Sequence, residues 1–242
     1  MKFIGVDLGW QSQPSGLCAL EWTGDRLQLR SLARLDTLEE VLAWIDRQVA
    51  DGPAGVAVDA PTLIPNATGM RWADRLTHRY FGKYHGGAYP ANLGHSFAAR
   101  TVGFGLSLEA QGFDHDPEGK RPDRFQIEVF PHPAMVYLFS LDRILKYKKG
   151  RLAERQQALQ QLRQLILQHL PEHEPSLPLV AADLPEVPSR GAALKALEDQ
   201  LDALVCAYVA AHWWYWGPQR NLVLGDRAQG YIVVPGCWPA PS

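Results

Sequence analysis

Apolar residues in this chain follow two patterns: short unbroken runs that stop at a carboxylate or a proline, and longer stretches with helical spacing. The first run is Phe3-Ile4-Gly5-Val6-Asp7-Leu8-Gly9-Trp10. A run this short and this apolar predicts a strand buried on both faces, and the glycine after Asp7 lets the backbone turn away tightly. Asp7 would then end a central strand, where open α/β sheets keep their ligand sites. Aspartates also begin turns, so Asp7 alone carries either reading.

Gly16 to Trp22 and the alternating Leu27, Leu29 and Leu32 predict two further strands, separated from the first by a polar loop at 11–15 and from each other by Thr23-Gly24-Asp25. Short connections make the three an antiparallel meander. Thr37-Leu38-Glu39-Glu40 matches a capping box, with Val41, Leu42, Trp44, Ile45 and Val49 at helical spacing behind it. Gly55-Val56-Ala57-Val58-Asp59-Ala60-Pro61 then repeats the opening theme, and Pro61 stops the strand. The helix between them allows a crossover that lays this strand parallel to the first. Asp7 and Asp59 would then share one edge of the sheet.

From 62 to 124 the strand pattern lapses, and the passage reads as a helical and loop insertion within one domain spanning 1–242. A helix is predicted over 71–81, in which Arg71, Arg75 and Arg79 recur every four residues and share a face. That stripe is either a solvated surface or a clamp for phosphate. A charged loop follows at 114–123, without the ligand spacing of a calcium loop. A strand resumes at Arg124 and ends by Pro131, with Glu128 near its end and read there as an outward-facing residue or part of a site. Helices are predicted over 133–141, 152–170 and 192–216, and two closing strands around 223–224 and 231–234. On the last helix Asp199 and Asp202 stand three apart and are neighbours on one face, among small residues that allow close packing.

Composition narrows the function classes. At 242 residues, 46% hydrophobic and 21% charged, the chain suits a globular α/β domain, and its formal net charge of −2 argues against broad attraction to nucleic acid or anionic membrane. Cys18, Cys206 and Cys237 are scattered, without disulfide or zinc spacing, which fits a reducing cytoplasm. No apolar run reaches the length of a membrane span. Positive charge concentrates in Arg143-Ile144-Leu145-Lys146-Tyr147-Lys148-Lys149-Gly150-Arg151, which suits either phosphate contact or a solubilising loop.

Asp7 in GVDLG, Asp59 in VAVDAP, Glu128 in IEVFP, the Lys148-Lys149-Gly150-Arg151 tract and Asp199/Asp202 in EDQLDALVCAYVA together resemble the DUF429 family of predicted nucleases with a ribonuclease-H-like fold. The resemblance spans nearly the whole chain, including the insertion helix MRWADRLTHRYFG. It implies a mixed five-stranded sheet, three antiparallel strands then parallel ones, flanked by helices with a helical insertion after the fourth strand.

It also implies a carboxylate site for Mg2+ or Mn2+, two ions working together in phosphodiester hydrolysis. On that reading Asp7 bridges the metals, Asp59 and Asp202 complete the shell, and Asp199 or Glu128 supplements it. The i,i+3 pair on the last helix is similar to that of RuvC-type resolvases. Charge alone adds Lys146, Lys148, Lys149 and Arg151, with Arg71 and Arg75, as phosphate contacts of a DNA or RNA substrate, and Trp10 becomes a candidate for the rim of the site. The alternatives are a binding module that keeps the fold without catalysis, and a phosphotransferase of the actin and sugar-kinase superfamily. The latter needs a second DxG turn, for which the chain offers only Gly225-Asp226, late and in the wrong order.

Overall fold

A computed structural model describes residues 1–11, 14–50, 52–120 and 123–237. Its main sheet is built from β1 (Lys2–Asp7), β2 (Ser15–Trp22), β3 (Leu27–Leu35), β4 (Ala54–Val58), β5 (Asp114–His115) and β6 (Arg124–Glu128), in the order β3-β2-β1-β4-β6-β5. β1 to β3 pair antiparallel, while β4 lies parallel to β1 and β6 parallel to β4. That is the expected order of three antiparallel strands followed by parallel ones, but with six strands instead of five. The sixth is the two-residue β5, parallel to β6 at the edge, too short to leave an alternation in the sequence.

Helices cover both faces. α1 (Leu38–Val49) starts at the predicted capping box, Thr37 Oγ1 accepting from the Glu40 amide and Glu40 Oε2 from the Thr37 amide. It makes the crossover from β3 to β4 and packs with α3 (Ala98–Ala110) over Ile4, Val6, Val56 and Val58. On the other face α6 (Gly191–Trp216) packs with α4 (Pro131–Leu138) and α5 (Leu152–His169) over Phe3, Ala57, Phe125 and Ile127. Alternation along β1 thus sends Ile4 and Val6 to one layer and Phe3, Gly5 and Asp7 toward the other.

α6 lies against β1 and β2 with almost nothing between. A Cβ on Gly5 would fall 1.9 Å from the Ala203 carbonyl oxygen, and one on Gly16 would fall 2.0 Å from that of Asp199. Glycine at both positions, Gly5 against Ala203 and Ala207 and Gly16 against the Asp199 backbone, lets helix backbone rest on strand backbone. Gly16 is the register partner of Asp7, so this contact occurs where the strand-end carboxylate stands.

Between β4 and β6, residues 62–124 hold α2 (Trp72–Phe81), α3 and β5. The sequence pattern does not reveal α3, because Thr101, Gly103, Gly105 and Ser107 dilute its helical signal; tertiary packing of Phe104 and Leu108 onto the sheet compensates. The two closing strands form a separate hairpin, β7 (Asn221–Asp226) and β8 (Gly230–Pro235), which meets the main sheet at the Val129–Val233 bridge and packs on α2. The centre of the polar loop at 11–15 and residues 121–122 of the charged loop lie outside the described residues.

Candidate metal centre

Parallel pairing brings two strand ends together. Val6 is in register with Val58, and the Asp59 amide donates to the Val6 carbonyl at 2.8 Å, so Asp7 and Asp59 emerge side by side on the α6 face. Asp202, buried on α6, comes down onto the same point. One carboxylate oxygen from each of Asp7, Asp59 and Asp202 lies within 4.8 Å of the others.

One ammonium group accompanies the three carboxylates. Lys148 Nζ lies 2.7 Å from Asp202 Oδ2 and 3.9 Å from Asp59 Oδ2. The buried Tyr147 hydroxyl donates to Asp202 Oδ1 at 2.6 Å. Asp202 Oδ2 is buried and has no hydrogen-bond partner, so its contact with Lys148 is ionic attraction without directional alignment. Burial pushes the Asp59 carboxyl up to about 6, against the pull of Lys148. Loss of hydration likewise holds the Asp7 carboxyl well above the usual range; Lys148 opposes this, while Asp202 and Asp59 add to it. For Lys148 burial works downward, but Asp202, Asp7 and Asp59 outweigh it and raise the amine. Three carboxylates against one ammonium leave the cluster short of positive charge. Hard oxygen donors, closely spaced and with one oxygen lacking a hydrogen bond, fit a small divalent ion such as Mg2+ or Mn2+.

The other two acids expected at the site, Asp199 and Glu128, line a cavity shared with Asp7 and Asp59 but stand outside the trio. Asp199 is three residues from Asp202, yet it turns toward the β3 edge, 2.8 Å from Arg34 Nε and 2.7 Å from Lys195 Nζ. It borders the same cavity without joining the trio. Glu128 is in register with Val58, one residue short of Asp59, so the two-residue strand period sends its side chain to the opposite face. There Arg71 grips it with Nη2–Oε1 at 2.6 Å and Nη1–Oε2 at 2.8 Å. Burial raises the Glu128 carboxyl to about 7 despite this partner.

Arg71 itself departs from the expected phosphate clamp. It is the residue before α2, in extended conformation, and its guanidinium is buried rather than on the exposed face that Arg75 and Arg79 occupy. Its five N–H donors are taken by Glu128, Asp74 and the Leu63 carbonyl, which leaves none for phosphate. In the basic tract the side chains divide. Lys146, Lys149 and Arg151 are exposed, whereas Tyr147 and Lys148 turn inward to Asp202. Sequence reasoning placed Tyr147 only as the aromatic interleaved in the basic tract and gave no site role to Lys195 or Arg34.

The cavity, of about 280 Å³, is lined by Asp7, Asp59 and Lys148, while Asp202 is fully buried and takes no part in its lining. Against known proteins, the profile of the family described as "Protein of unknown function (DUF429)" matches residues 5–227. The chain belongs to the DUF429 family. Among solved structures, that of Thermus thermophilus RuvC is similar at 15% identity, covering 87% of this chain and 98% of that one with a TM-score of 0.35. No curated protein matches this DUF429 chain.

Proposed function

We propose that this DUF429 protein is a divalent-metal-dependent phosphodiester hydrolase acting on nucleic acid, a nuclease of ribonuclease-H-like design. The observation that carries the reading is the convergence of Asp7, Asp59 and Asp202 within 4.8 Å, from two parallel strand ends and the last helix. Those three residues would hold Mg2+ or Mn2+, as one ion or as a pair. Bound there, the metal would supply a nucleophilic water at neutral pH and charge stabilisation for the leaving oxygen.

This chain's own side chains do the rest. Tyr147 fixes Asp202 through its 2.6 Å hydrogen bond. Lys148 supplies a counter-charge to the trio before substrate arrives, and its amine is within reach of a phosphate oxygen in the cavity. Exposed Lys146, Lys149 and Arg151 offer phosphate contacts beside the site. Asp199 acts through Lys195 and Arg34, and Glu128 anchors the insertion through Arg71. Residues 62–124 form a wall of one domain, and the scattered free cysteines suit a cytoplasmic setting. Among the described residues no helix is long and apolar enough to cross a membrane.

A second reading, a nucleic-acid-binding module without catalysis, draws support from one contact: Lys148 Nζ at 2.7 Å from Asp202 already neutralises part of the cluster. One experiment separates the two. Purified protein is incubated with labelled DNA and RNA in Mn2+, beside Asp7→Asn. The nuclease reading expects cleavage by wild type and none by the variant. Binding without cleavage in any metal favours the module.

A further inference from the structure

The cavity that Asp7 and Asp59 line also has aromatic walls. Trp10, Tyr89 and Phe130 line it together with Pro61, Ile232 and Lys148. Trp10 follows directly on the β1 turn, and its indole N–H donates to the Asp59 carbonyl at 2.9 Å, which ties the ring to a residue of the trio. Tyr89 comes from the insertion and meets Trp10 edge-on, with ring centres 6.5 Å apart, while Phe97 supports Trp10 from behind at 4.8 Å. Tyr89 is 60% exposed, although aromatic rings are ordinarily among the more buried side chains. Beyond this pair lies a second hollow, bordered by Trp10, Tyr89, His95 and Phe97, so the two rings stand as a partition between two recesses.

We infer that the Trp10–Tyr89 partition stacks unpaired bases of a single-stranded polynucleotide whose backbone passes the Asp7 and Asp59 carboxylates in the same cavity. The inference rests on the phosphodiester reading for the path of the backbone, and on independent features for the bases. A planar ring fits a recess of about 280 Å³, whereas a base held in a duplex reaches such a recess only by leaving its stack. A net charge of −2 gives the chain little general hold on a duplex, which proteins grip mainly through phosphates. Aromatic stacking binds single strands without that charge. The flanking Lys146, Lys149 and Arg151 serve a flexible strand equally well.

The test measures fluorescence anisotropy of a labelled single strand of about twelve nucleotides, in the range of single-strand site sizes. A blunt duplex of the same sequence and the free mononucleotide are compared, and all proteins carry Asp7→Asn so that the strand stays intact. The single strand is expected to bind at least about tenfold tighter than duplex or mononucleotide, and Tyr89→Ala to weaken it by about tenfold, the size of one lost base–aromatic stack. Tyr89 is exposed, so this variant folds. Trp10→Phe, which keeps a ring but loses the indole N–H, is expected to weaken binding by less than Tyr89→Ala. Equal or tighter duplex binding, preference for the mononucleotide, no binding of the single strand, or a Tyr89→Ala variant indistinguishable from its parent would each overturn the inference. Cleavage by protein with Asp7 intact is scored separately. Tyr89-dependent binding without cleavage would sink the nuclease reading and leave the stacking partition standing.

Discussion

Lys148 holds its Nζ 2.7 Å from Oδ2 of Asp202, inside a group of three carboxylates and on the side of Asp59. The lysine acts as an internal counter-ion. With it in place the trio is short of roughly one divalent ion's charge; with it withdrawn and a phosphodiester present, two divalent ions would balance the same acids.

Lys148→Met removes that counter-ion. Breaking a buried pair costs about 3–5 kcal/mol, and the partial exposure of Lys148 reduces this to about 2 kcal/mol. Without metal the variant should melt about 4–8 °C lower near neutral pH, since a kcal/mol shifts Tm by about 2–4 °C at this chain length. With saturating Mn2+ the gap should close, and calorimetry without nucleic acid should count more ions per chain than in wild type. A gap unchanged by Mn2+ goes against a shared position.

Asp7→Asn relieves crowding among carboxylates that are poorly hydrated. The variant should be more stable than wild type without metal, because burial, with Asp202 and Asp59 adding to it, holds the Asp7 carboxyl above its usual range in the folded chain. Its stabilisation by Mn2+ should disappear together with cleavage. A loss of stability in metal-free buffer would mean that Asp7 is held by bonds the substitution breaks.

Metal binding should weaken in acid. Asp59 is pushed up to about 6 by burial, and the ion must displace its proton below that pH. Affinity for Mn2+, read by titration calorimetry, should fall by at least about tenfold per pH unit below about 6, because Asp7, raised by the same burial, adds its own competing proton to that of Asp59. A profile flat down to about pH 4.5 would exclude Asp59 from the ligand set.

His212 gives a pH effect far from the metal centre. Its Nδ1 lies 2.9 Å from Asn221 Oδ1, and burial pushes the imidazole down from 6.5 to about 4. Because the folded value is depressed, the native state takes up this proton less readily than the unfolded chain. The stability it contributes is present above about 6.5 and is lost as pH falls toward 4, up to about 3 kcal/mol. Glu128, raised to about 7, works in the opposite sense over an overlapping range, so wild type must be compared with His212→Gln. Urea unfolding should show the wild-type advantage at about pH 7.5 shrinking or reversing by about pH 4.5. A constant difference would mean that the imidazole does not titrate as assigned.

Asp7 and Asp59 were legible in the sequence because each closes an apolar run, and a run's end is a place in the fold as well as in the chain. The order β-β-β-α-β and the long last helix were legible for the same reason, since hydrophobic period reports which face is covered. Pairing across the chain was not. Nothing near Arg71 announces Glu128, 57 residues away, and helical spacing suggested instead that Arg71 shares a face with Arg75. Asp199 and Asp202 are alike on a helical wheel, and only Arg34 from β3 and Lys148 from the loop after α4 decide that their side chains part. The helix over 98–110 was hidden by its own glycines and hydroxyls, because its stability comes from the sheet beneath it.

The bare contact of α6 on Gly5 and Gly16 sets how near the backbone that carries Asp202 lies to the strand that carries Asp7. A methyl group at either glycine would push the helix off the strands, and Asp202 would be carried away from the strand-end carboxylates with it.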